Sequence, residues 1–132
     1  MKRTAIYGTA IVLFHLLVTL IHGAAHSELH IGLSRAELNF VRIVILLCPL
    51  VAMGLLWTPW RNPGLVVLTL SMAGSLLFGL YHHFLVMGPD HVGQQIPGLW
   101  ASTFGITAYG ILIIEAFGTY AGLHFLLKRD GR

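Results

Sequence analysis

Over its 132 residues the chain is 56% hydrophobic and only 10% charged, whereas a soluble domain carries about a quarter charged residues. With a mean hydropathy of +0.79, it reads as one integral membrane domain, which excludes a soluble enzyme, a nucleic-acid binder and a disordered tail. The formal charge of +3 does not point to nucleic acid, because the basic residues stand at the ends of apolar runs rather than along one face.

The first apolar run, 5–25, holds no formally charged residue and is long enough to span a bilayer as a helix. His15, His22 and His26 follow one another at intervals of seven and four, which at about 100° per residue puts them within roughly 40° on one helical face. The basic start and the small residues Gly23 and Ala25 also admit a cleaved signal peptide, but the run is long for one and cleavage would leave three spans. A polar loop with Glu28 and His30 leads to the second run, 38–57, which carries Arg42, Cys48 and Pro49. Arg42 lies near the end of its run, placed either to snorkel or to face Asp90, Glu28 or an anionic group. Cys48, the single cysteine, reads as a small buried hydrophobe, and Pro49 as a kink of the kind membrane helices tolerate.

After a short turn the third run, 65–87, ends in His82 and His83, and the loop beyond it carries Asp90 and His91. The fourth run, 101–127, contains Glu115 and a Gly118-xxx-Gly122 pair. The expected fold is therefore all-α, a four-helix up-down-up-down bundle. Lys2, Arg3, Arg61, Lys128, Arg129 and Arg132 gather at one end against Arg35 and Arg42 at the other, which under the positive-inside rule puts both termini in the cytoplasm. Trp57, Trp60 and Trp100 stand where interfacial indoles belong. A bacterial-type plasma or inner membrane is the expected location.

Depth places the histidines relative to one another. At ~1.5 Å per residue, His22 lies about 27 Å up the first helix and His82 and His83 about 26 to 28 Å up the third, helices that stand diagonally in such a bundle. His15 and Glu115 are level, near the middle of neighbouring helices, and a hydrogen bond between them is expected because an ionisable group in a bilayer needs a partner. A short repeat, His22 with His30-Ile31-Gly32 and His83 with His91-Val92-Gly93, suggests a duplicated hairpin that pairs His22 with His83 and His30 with His91.

These placements give several functional expectations. The first is a metal site for copper, iron or zinc, with His22, His26, His82, His83, His91 and Asp90 as candidate ligands and His30 and Arg42 as secondary candidates. One inward Glu is too few for a di-iron carboxylate bundle. The second is haem b held between His22 and His83, with Gly23 and Gly79 making room, an architectural analogy to b-type membrane cytochromes. The others are a proton-coupled small transporter using Glu115 with His15, and an accessory subunit that packs its Gly118 and Gly122 face against a larger complex. The lipid bilayer is the expected partner, with a homo-oligomer or membrane complex as a further one.

Overall fold

The structure, a computed structural model, describes residues 2–128; Arg129 and Arg132, counted above among the basic residues, lie outside the described residues. Among the described residues four helices are long and apolar enough to cross a membrane: α1 (Lys2–Glu28), α2 (Arg35–Leu56), α3 (Arg61–Leu85) and α4 (Leu99–Leu127). No strand occurs among the described residues. Each helix starts before its apolar run because residues such as Arg35 and Arg61 extend the helix past the apolar stretch. At the start of α2, Ser34 and Glu37 form a reciprocal cap: the Ser34 N–H donates to Glu37 Oε2 at 2.6 Å, and the Glu37 N–H donates to Ser34 Oγ at 3.3 Å. This satisfies donors that the first turn would otherwise leave free.

The connections, 29–34, 57–60 and 86–98, are short, so consecutive helices run antiparallel. The first and third connections lie at one end of the bundle, the loop end. The 57–60 turn, Lys2 and Lys128 lie at the other, the terminal end. α4 packs against both α1 and α3, and α3 packs against α2, which leaves α1 and α3 diagonal. α1 meets α2 along Cys48–Leu56, and the two separate toward the loop end. Val12, Ala52, Leu56, Leu65, Leu68 and Met72 fill the terminal half, and Ala25, Ile31 and Phe104 form a smaller core at the loop end. Large apolar side chains such as Phe14, Leu70, Ile106 and Phe117 cover the outside, an arrangement suited to lipid and costly in water.

Gly118 and Gly122 are buried inside the bundle. A Cβ on Gly118 would lie 3.0 Å from Met72 Cγ and 3.2 Å from Ile11 Cγ2, and one on Gly122 would overlap the Thr69 hydroxyl. The small-residue face expected to serve a larger complex is thus spent on bringing α4 close to α3 and α1.

Two of the helices contain a widened π turn. In α2 it covers Val41–Leu47, just ahead of Pro49, and the Cys48 N–H donates to the Ile43 carbonyl five residues back. Proline supplies no N–H and crowds the carbonyl four residues before it, and the wider turn absorbs both effects. The second π turn, Tyr81–Leu85, closes when the Val86 N–H donates to the Tyr81 carbonyl at 2.9 Å. It carries His82 and His83 and ends α3 at the loop end.

Candidate metal centre

Three histidine rings converge at the loop end. His22 and His26 sit one turn apart on the same face of α1, as their spacing requires. The π turn at the end of α3 carries His83 to meet them. His22 Nε2 lies 3.2 Å from His83 Nε2 and 3.2 Å from His26 Nε2. Each ring offers one nitrogen, and the three nitrogens lie within 4.8 Å of one another, so the set could hold a metal ion. His22 and His83 are buried and His26 is half-buried. Phe104 of α4, fully buried, packs on all three, with ring centroids at 4.8, 5.2 and 5.4 Å from His22, His26 and His83.

The surrounding hydrogen bonds assign the tautomers. Thr107 Oγ1 donates its one hydrogen to a backbone carbonyl, that of Thr103 at 2.6 Å, so toward His22 Nδ1, 2.9 Å away, it acts as acceptor. His22 therefore carries its proton on Nδ1. His83 Nδ1 lies 3.0 Å from the Asp90 backbone carbonyl, which can only accept, so His83 also carries its proton on Nδ1. Both Nε2 atoms then present lone pairs to each other across 3.2 Å. Two acceptors at that distance in a half-dry site repel unless a proton or a metal ion lies between them.

The spacing is also one that a bare metal ion would accept. With metal–nitrogen bonds of about 2.0–2.1 Å, two ligands at a tetrahedral angle are roughly 3.3 Å apart, and two on opposite sides of an ion about 4.1 Å. The observed 3.2 Å between His22 and His83 matches neighbouring ligands of a bare ion. Their ring centroids are 4.9 Å apart with planes at 73°, edge to face, with no slot for a macrocycle between them. The 3.2 Å separation is shorter than the roughly 4 Å that two axial ligands on opposite sides of a haem iron would need.

The remaining candidates are dispersed. Asp90 is beside the trio, with Oδ1 3.1 Å from His26 Nε2 and 3.2 Å from His83 Nδ1. Since it faces the Nδ1 side of His83, it orients that ring, as carboxylates behind metal-bound imidazoles do. His82 turns away: its ring packs on Phe78 at 4.4 Å, and its Nδ1 lies 3.7 Å from Glu37 Oε1, so it ties α3 to the start of α2. The His91 ring accepts the Gly93 N–H at 3.0 Å, within its own loop. His30 has φ 55, the left-handed conformation that reverses the chain after α1, and its Nδ1 donates to the Glu28 carbonyl at 3.1 Å. Thus the structure brings His22 and His83 together, while His30 and His91 are each bonded locally. Arg42 is exposed on the outside of α2 and makes no ion pair among the described residues. Deeper in the bundle His15 Nε2 lies 3.2 Å from Glu115 Oε1, with both side chains 1% exposed.

Sequence reading did not single out Thr107, Phe104 or Ser75. Phe104 and Thr107 lie in the first turns of α4, level with His22, so the depth argument applied to the histidines would have reached them had it been extended to residues that are not ligands themselves. A cavity of about 460 Å³ adjoins the trio, bordered by His22, His26 and His83 at one end and by Ser75 and Glu115 farther in. Comparison with protein-family models, with curated proteins and with solved structures finds no match to this chain.

Proposed function

We propose that the chain is an integral membrane protein, with both termini cytoplasmic, that binds one first-row transition-metal ion, copper, iron or zinc, on ring nitrogens of His22, His26 and His83. The observation that carries this reading is the pair of Nε2 atoms facing each other at 3.2 Å, with the Nδ1 of each ring engaged by an acceptor on its far side. Imidazole suits all three metals. Three protein ligands leave a position open, so the ion can exchange, take a small ligand or change oxidation state. Metal handling or metal redox chemistry is the function this arrangement supports best.

The test is metal analysis and an optical spectrum of protein purified in detergent after growth with each metal. One equivalent of one metal per chain is expected, lost in His22→Ala and in His83→Ala and kept in His30→Ala, with no Soret band. Protein without stoichiometric metal under all three conditions would overturn the reading, and a Soret band lost in His83→Ala would replace it with haem. A second reading, proton coupling through Glu115 and His15, draws support from the burial of that pair. It predicts that Glu115→Gln abolishes proton uptake into proteoliposomes.

A further inference from the structure

The cavity beside the trio carries two polar atoms that metal binding does not use. Its volume, about 460 Å³, falls in the range of small-molecule sites, and side chains such as Leu20, Val41, Ile45 and Phe78 make its wall mainly apolar. Glu115 and Ser75 line it, and each is 1% exposed. Glu115 Oε1 is engaged by His15, but Glu115 Oε2 and Ser75 Oγ have no hydrogen-bond partner among the described residues. Ser75 and Gly79 are one turn apart on the same face of α3. A Cβ on Gly79 would stand 3.9 Å from Glu115 Oε2, so the two orphan oxygens border the same stretch of the cavity. Leaving a buried polar oxygen unpaired is costly, and two of them on one cavity wall call for a ligand that satisfies both.

We propose that this cavity binds a membrane-borne phenol, the class to which quinols belong, with its hydroxyl donating to Glu115 Oε2 and accepting from Ser75 Oγ–H. A phenol ionises near the tyrosine value of about 10, so it is a stronger donor than an aliphatic alcohol and the better match to a buried carboxyl oxygen. The apolar wall receives the rest of the ring and any tail. Entry is sideways: α1 and α2 diverge toward the loop end, and Leu20 and Gly23 of α1 face Val41 and Leu46 of α2 across the cavity there. The site goes beyond the metal reading and does not depend on it.

The experiment measures saturable binding of radiolabelled para-hexylphenol to the full chain in lipid nanodiscs, above the background of protein-free discs, with and without prior chelator treatment. Para-hexylanisole, in which a methyl group replaces the hydroxyl hydrogen, is the competitor control. Gly23→Leu fills the cavity from α1, where an added Cβ meets nothing within 4 Å, and Ser75→Ala removes one orphan oxygen. Thermal unfolding followed by thiol labelling of Cys48, the single cysteine, reports that each variant is folded. Expected are one saturable site per chain in both metal states, about tenfold weaker binding of the anisole, loss of the site in Gly23→Leu and weaker binding in Ser75→Ala. No saturable site, equal binding of phenol and anisole, or unchanged binding in a folded Gly23→Leu protein would each overturn the proposal. A phenol site in protein that carries no stoichiometric metal even before chelator treatment would defeat the metal reading alone.

Discussion

A single hydroxyl, that of Thr107, fixes which nitrogen of His22 carries the proton. By passing its hydrogen to the Thr103 carbonyl and receiving that of His22 Nδ1, it leaves His22 Nε2 free to coordinate. Thr107→Val keeps the shape and removes the acceptor. It is expected to weaken metal affinity about 10- to 100-fold, the usual effect of losing a partner behind a ligand, with Thr107→Ser restoring it. Competition against a chelator of known affinity measures this. Asp90→Asn is expected to act in the same direction through His83, whose ring keeps its bond to the Asp90 backbone carbonyl but loses the adjacent carboxylate. The histidines announced themselves in the sequence by face and depth. Their tautomers did not, because a tautomer depends on which atom lies behind the ring, and Thr107 is 85 positions away from His22.

The four spans could be read from hydropathy because burial in a bilayer requires long uncharged runs, and the structure has a helix at each of them. The π turns could not be read that way: hydropathy reports which residues are apolar and carries no information on whether a carbonyl is met four or five residues on. The adjacent residues His82 and His83 show the result. Their composition and depth are the same, yet one packs on Phe78 and the other joins His22, with backbone register at Tyr81–Leu85 making the choice. Glycine on α4 gives a sharper contrast. Gly122→Val must push Thr69, itself bonded to the Leu65 carbonyl, and with it the α3 backbone, whereas a Cβ at Gly105 meets nothing within 4 Å. Gly122→Val is therefore expected to cost about 1–3 kcal/mol and Gly105→Ala to be neutral or slightly stabilising. Unfolding in mixed micelles, followed by circular dichroism, compares them.

For the molecule as a whole, the basic residues of the terminal end predict its orientation: Lys2, Arg3, Arg61 and Lys128 at that end, against Arg35 and Arg42 at the other. Reporter fusions at the two termini are expected to report the cytoplasmic side for both, and adding three lysines to the 86–98 loop is expected to disturb that orientation. In that orientation the histidine trio lies at the outer face, beneath loops that hold Asp90, and the lateral opening proposed between α1 and α2 gives onto the bilayer. That opening changes what affinity means for the molecule. A guest arriving through it is drawn from the bilayer, and its activity is set by how strongly it partitions there. For a compound enriched about a thousandfold in lipid, an intrinsic binding free energy of about −4 kcal/mol, millimolar in bulk terms, acts as a micromolar affinity when concentrations are counted in water. A cavity with two polar contacts and a loose apolar wall thereby becomes selective through its doorway, since water-soluble look-alikes with the same hydroxyl never reach it in number.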